Sequence, residues 1–342
     1  MSFSFKRTFF RLLLTPTLFI ALQFGCDNEK EQCVYVPSIK SPVEIDFVQL
    51  EDSIPLINSK AELVNFFTRY PVLRDYMFGR QQNYPHDSVF INSLYDRFTH
   101  PGFDTLLMET KKIFGDASSL KADFQQAFSN IKYYYPEFVP PKIGTVISGL
   151  ETDLVITDTL IAVGLDYYLG REGKYRPRLY EYLLTRYEPE DIVPSSLLIY
   201  GISERFNKTN LEDKTVLADM IAYGKSFYFA KHMMPCVPDS TFIWYSEEEM
   251  RGAIDNEDLI WARLIEDQVL FSTSHVAKQK FLGDRPKTLE VGEQCPGRIG
   301  QWVGWQIVKK YMEAHPDVSL RQLMEMSDAD KIFKESRYKP KA

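Results

Sequence analysis

Histidine is scarce in this chain of 342 residues. Only His86, His100, His232, His275 and His315 occur, and none lies within residues 101–231. No two stand three or four apart, so no helix face offers the paired imidazoles of a His-Glu-x-x-His zinc site. Cysteine is nearly as sparse, with four in all and no Cys-x-x-Cys, which excludes a structural zinc site of the usual kind. Gly-x-Ser-x-Gly, P-loop and GxGxxG signatures are missing too. Nothing local therefore supports an α/β-hydrolase or a nucleotide enzyme, and neither a metal nor a cofactor is expected. Basic excess is also lacking: the formal net charge is −7, and without residues 1–25, which hold Lys6, Arg7 and Arg11 but no acid, it is −10. Such an acidic body is a poor partner for nucleic acid, where neutralised phosphates supply most of the affinity.

What is present is apolar and aromatic, 44% and 14% of the residues, ample for a packed core. At the N-terminus, three basic residues precede an apolar run from Leu12 to Leu22, broken by Thr15, Pro16 and Thr17. The run falls short of the roughly 20 residues that span a bilayer. It ends at Leu22-Gln-Phe-Gly-Cys26, followed by the polar stretch Asp27–Gln32. A small residue before a cysteine at that place resembles a bacterial lipobox, with Cys26 as the acylated mature N-terminus, for example with palmitate. The other reading is an ordinary signal peptide and an incidental cysteine. The organisation expected is a lipoprotein signal peptide over 1–25, a tether over 26–41 and one globular domain over 42–342. With Cys26 acylated, an oxidising envelope permits a disulfide between Cys236 and Cys295, or leaves three unpaired thiols with Cys33.

The body reads as α+β, mostly helical, with a small sheet inserted near the middle. Val43–Val48 alternates as a strand does, and Ile143–Ser148 and Leu160–Asp166 read as two more. A capping box, Ser59 to Glu62, opens a helix that runs to Pro71. Helices are expected near 87–99, 104–114 and 119–135, the last with Leu120, Phe124, Ala127, Phe128, Ile131 and Tyr135 on one face. A helix-like run from Pro177 to Tyr187 follows the sheet, and Pro189 and Pro194 suggest an irregular connection. A long helix is expected from Asp213 to Met234, and a second capping box at Ser246–Glu249 opens a run to Phe271, broken near Asp255-Asn256. Shorter helices near 274–281, 297–314, 319–326 and 328–336 complete the chain.

Two places invite a functional reading. Glu257 stands one turn before Trp261, where a carboxylate would be drawn toward the core. The stretch Pro296–Val308 carries Gly297, Gly300 and Gly304 three and four apart, flanked by Trp302, Trp305 and Gln306. Glycine costs a helix about 1 kcal/mol against alanine, so the stripe implies close approach of another backbone. Arg298, near that helix start, opposes the dipole and so is expected to answer a carboxylate, with Glu257 as the partner.

In this stretch the chain resembles the gliding-motility-associated lipoprotein GldB family of Bacteroidota, whose hallmark Ser-Pro-Gly-Arg-Ile-Gly-x-Trp-x-Gly-Trp-Gln-Ile-Val it repeats with Cys295 for the serine. Arg186–Pro194, Asn256-Glu257 with Trp261, Leu270–Thr273, Phe281–Asp284, Asp317–Leu320 and Glu335–Pro340 extend the likeness over the whole chain. The resemblance implies an envelope lipoprotein, anchored by its lipid and facing the periplasm. It would serve gliding through other components of the motility and secretion machinery, as a non-catalytic binding or scaffold part. The other reading is a hydrolase of cell-wall peptide or glycan with an unrecognised carboxylate site, or a divergent metallopeptidase. The family is also similar to predicted zinc peptidases, implying a degenerate zincin-like core. Against that group Tyr180 and Leu184 flank Glu181 where histidines would bind metal, and Tyr223 stands at the third ligand. Neither tyrosine nor leucine is an ordinary zinc ligand, so a pseudo-enzyme scaffold is implied.

Overall fold

The structure, a computed structural model, describes residues 41–340, which belong to one compact unit. The signal segment, Cys26 and nearly all of the tether lie outside the described residues. In chain order the elements are β1 (Phe47–Gln49), α1 (Lys60–Arg69), α2 (Arg80–Asn83), α3 (Asp87–Phe98), α4 (Pro101–Phe114) and α5 (Ser118–Tyr134). The sheet then gains β2 (Lys142–Val146), β3 (Leu154–Ile156) and β4 (Leu160–Gly164). After it come α6 (Glu181–Leu184), α7 (Ile192–Ile202), α8 (Val216–Met233), α9 (Asp239–Ile243), α10 (Glu247–Asp255) and α11 (Glu257–Glu266). The last are α12 (His275–Phe281), α13 (Ile299–Ala314), α14 (Leu320–Glu325) and α15 (Ala329–Ser336). The molecule is α+β, mostly helical with a small mixed sheet.

Local signals explain the boundaries. Ser59 caps α1 by accepting from the Glu62 N–H, while the Glu62 carboxylate reaches past the cap residue to the Asn58 N–H. His100 caps α4 through Nδ1, with Pro101 in its first turn, which starts that helix three residues earlier than expected. Gly115, at φ 57°, ends it. Ser246 and Glu249 form the expected box reciprocally, and Asn256 interrupts the run between α10 and α11. The strand expected over 43–48 shrinks to Phe47–Gln49, because Val43 spends its N–H and C=O on Ser129 and Gln125 of α5.

The strand order is β1-β2-β4-β3, with β1, β2 and β4 parallel and β3 antiparallel to β4. Every residue of β4 is buried, as in a sheet covered on both faces. Its side chains alternate between two cores: Ile161 and Val163 pack with α5, α7, α8 and α13, whereas Leu160 and Ala162 pack with α1, α3 and α4. The sheet is thus the middle of three layers.

At the centre of the larger core, α8 crosses α13. A Cβ on Gly304 would lie 2.0 Å from the Met220 carbonyl oxygen, and one on Gly224 would lie 2.3 Å from that of Gly304. The backbones touch, as the stripe implied. Gly297 does not take part, because the helix begins only at Ile299. The irregular connection expected after Pro189 is instead α7, which lies against α8 where Ser226 donates to the Leu198 carbonyl. Pro194 falls in its first turn, where the missing N–H breaks no helical bond.

Candidate functional site

The carboxyl end of β4 is shaped by Asp166. Fully buried, its carboxylate accepts from the backbone N–H groups of Ser148, at 2.8 Å, and Leu150, at 2.5 Å. Burial pushes its pKa up to about 6 against the opposing pull of those amides. Gly164 closes the turn, since a Cβ there would meet the Thr152 carbonyl oxygen at 2.1 Å. This arrangement sets Asp153 beside the carboxyl ends of the parallel strands, the end at which open sheets present ligand sites.

A cleft of about 310 Å³ opens there. Its walls are apolar, from Leu154 of β3, Leu198, Ile199 and Ile202 of α7, and Tyr223 and Phe227 of α8. Asp153 also lines it, and its carboxylate accepts from the Tyr187 hydroxyl at 3.2 Å and from the Leu154 N–H. Two arginines join it in the lining. Arg186 forks onto Asp284, with its Nη2 2.8 Å and its Nη1 3.4 Å from the two carboxylate oxygens. Arg298 donates from Nη2 to the Ile243 carbonyl at 2.6 Å, and its Nε lies 3.7 Å from Asp284. Both guanidinium carbons sit 4.7 Å from the Trp244 ring centroid, so one indole serves two cations.

Among the described residues, three donors in this group are buried without a hydrogen-bond partner: Arg186 Nε, Arg298 Nη1 and Trp244 Nε1. Desolvation, followed by repulsion from Arg186, lowers the Arg298 pKa to about 10, still charged at neutral pH. Burial alone would raise Asp284, but the bond from Arg186 and the charges of both arginines hold it below the usual carboxylate range. Arg298, at φ 60°, and Trp244, at φ 55°, both adopt left-handed backbone, which costs a non-glycine residue about 1–2 kcal/mol. Such strain gathers at ligand clamps. Arg298 immediately precedes α13, so the positive end of a 16-residue helix adds to the field.

The expected residues divide. Arg298 belongs to this cleft, but its carboxylate is Asp284 and not Glu257. Glu257 instead accepts from the Tyr338 hydroxyl at 2.6 Å, and Trp261 packs edge-on against the same ring, so both hold down the C-terminal segment. The spacing that placed Glu257 opposite Arg298 considered two helices and missed the residues after α15. Gly300 abuts Leu282 and the Phe281 carbonyl, and Trp302 is core beside it. Glu181 is exposed in a single helical turn and pairs with Arg176, at 3.7 Å. The longer helix expected from Pro177 is absent. Tyr180 is 74% exposed and Leu184 buried, while Tyr223 lines the cleft from α8. Among the described residues no group of three His, Cys, Asp or Glu side chains could hold a metal ion, and no helix is long and apolar enough to cross a membrane. Cys236 is disulfide-bonded, though not to Cys295, whose thiol is free. Trp244, Arg186 and Asp284 were not singled out as site residues. The available signal was that Arg186 and Asp284 fall in two of the segments carrying the family resemblance.

The family model described as "Gliding motility protein GldB" matches residues 32–340. No curated protein and no solved structure matches the chain.

Proposed function

Since the chain belongs to the GldB family of gliding motility proteins, we propose that it acts in the cell envelope as a lipid-anchored, non-catalytic binding component of the gliding and secretion machinery. Cys26 is the acylated residue of this reading, and residues 42–342 form the domain it displays to the periplasm. The observation that carries the proposal is the head of the cleft. Its polar groups are two guanidinium forks, an indole N–H and an aspartate locked between them. Forks and fixed N–H donors recognise planar anions. We read the core as a zincin-like scaffold whose metal positions, Tyr180, Leu184 and Tyr223, no longer serve a metal, and which has been kept for binding.

Two replacements in gliding cells test this. Cys26→Ser should release the protein from membranes and abolish lipid labelling and gliding, whereas Arg186→Gln should leave the protein at normal level in membranes yet stop or slow gliding. Retention of the lipid label by the cysteine variant would remove the anchor, and gliding at full speed in the arginine variant would remove the cleft from the function.

A further inference from the structure

We propose that the cleft binds a single carboxylate carried on an apolar body, with the anion held by the Arg186–Arg298–Trp244 group and the body along α7 and α8. This deepens the binding reading above and rests on it. Three N–H donors of this group, Arg186 Nε, Arg298 Nη1 and Trp244 Nε1, are buried without an acceptor among the described residues, and leaving a buried donor unpaired is costly, so an acceptor is what the site lacks. Arg298 is 7% exposed and lines the cleft, so its guanidinium is built into the core rather than borrowed from a surface side chain. Charge decides the class of anion. Two guanidiniums face one aspartate, Asp284, so the arginine group itself carries one net positive charge, which Asp153 elsewhere in the lining offsets for the cleft as a whole. A monoanion balances the arginine group. A phosphate dianion would leave an excess beside Asp284 and share the cleft with Asp153. The apolar walls give a dry slot for an aliphatic or aromatic substituent, and a volume of about 310 Å³ suits a small organic acid or the last residues of a polypeptide.

Four probes separate these cases when titrated into full-length protein in detergent: 3-phenylpropionate, acetyl-Leu-Phe-Leu with a free carboxylate, the same peptide amidated, and inorganic phosphate. Heat of binding and tryptophan emission are read together. Saturable binding of the carboxylates, at least tenfold tighter than the amide or phosphate, is expected. The emission change should vanish in Trp244→Phe, and affinity should fall tenfold or more in Arg186→Gln. A peptide at least tenfold tighter than phenylpropionate assigns the ligand to a chain terminus, and equal affinities assign it to a small acid. Arg186 is used because Arg298 is core, and a thermal melt verifies that the variant folds. An amide as tight as its acid, phosphate tighter than both carboxylates, no saturable binding, or full affinity in folded Arg186→Gln overturns the inference. Loss of carboxylate binding with normal gliding would uphold the ligand and sink the cleft's part in gliding. Lost gliding with intact binding would do the reverse.

Discussion

Gly224 meets the backbone of Gly304 where α8 crosses α13: a methyl group on Gly224 would strike the Gly304 carbonyl, and one on Gly304 the carbonyl of Met220, one turn before Gly224. The crossing sets the distance between the α8 wall of the cleft and Arg298 at the start of α13. Gly304→Ala would gain about 1 kcal/mol of helix propensity but must displace a main-chain carbonyl. Overpacking of this kind costs about 1–3 kcal/mol, and more where backbone must move, so the variant should be less stable by about 2 kcal/mol or more. Gly252, in α10, supplies the control, because a Cβ there meets nothing within 4 Å. Gly252→Ala should stabilise by roughly 0.5–1 kcal/mol. Urea denaturation of the two variants reads both signs, and a stable Gly304→Ala would show that the helices can separate cheaply.

Arg298 should couple energetically to Asp284 and not to Glu257. In a double-mutant cycle of Arg298→Gln with Asp284→Asn, the interaction energy should fall within about 0.5–3 kcal/mol. The cycle with Glu257→Gln should be additive within about 0.5 kcal/mol, since that carboxylate is engaged by Tyr338. A coupled Glu257 cycle would restore the pairing that the sequence suggested.

That mistaken pairing shows where sequence reading stops. Elements with an apolar face or a side-chain cap announced themselves: α1 through Ser59, α10 through Ser246, and α5 through its buried row from Leu120 to Ile131. The helix α7 did not, because it is apolar on nearly every side and so presents no periodic contrast, and Pro194 within it reads as a breaker. The glycine stripe foretold a backbone contact but not its partner in α8. Arg298 was visibly out of place at a helix start, and it does answer a carboxylate. Which carboxylate depended on the loop after α12, a tertiary fact that spacing along one helix cannot carry. The cleft was hidden for the same reason, since Arg186, Trp244, Asp284 and Arg298 come from four separate segments.

Cysteine chemistry gives a third expectation. Burial pushes the Cys295 thiol up to about 12, so little thiolate forms at pH 8 and alkylation of the native protein should be slow there. After denaturation without reductant, iodoacetamide should label Cys295 and spare Cys236, and prior reduction should add Cys236. Peptide mapping by mass spectrometry reads each site. A Cys236–Cys295 cross-linked peptide would contradict the arrangement described here.

Lys225 should make stability climb with pH above neutrality. It is 1% exposed within α8, and Nζ donates to the carbonyl oxygens of Lys208, at 2.9 Å, and Met326, at 2.6 Å. Desolvation brings its pKa down to about 7 from the usual 10.5, against a smaller upward pull from Glu325. In the unfolded chain the amine keeps its proton up to about 10.5. Between those two values the unfolded state binds more protons than the folded one, so stability rises with pH. At about 1.4 kcal/mol per unit, the gain from pH 7 to 9 is on the order of 2–3 kcal/mol. Below pH 7 both states are protonated, and this slope disappears. Lys225→Met strands two carbonyl oxygens and should be less stable throughout, but its profile over pH 7–9 should lack the rise. Denaturant unfolding of both proteins at pH 6, 7, 8 and 9 isolates the lysine, because every other titrating group is common to the two. Parallel profiles would mean that Lys225 stays charged in its pocket at neutral pH, held there by the two carbonyls and Glu325 more strongly than burial opposes it.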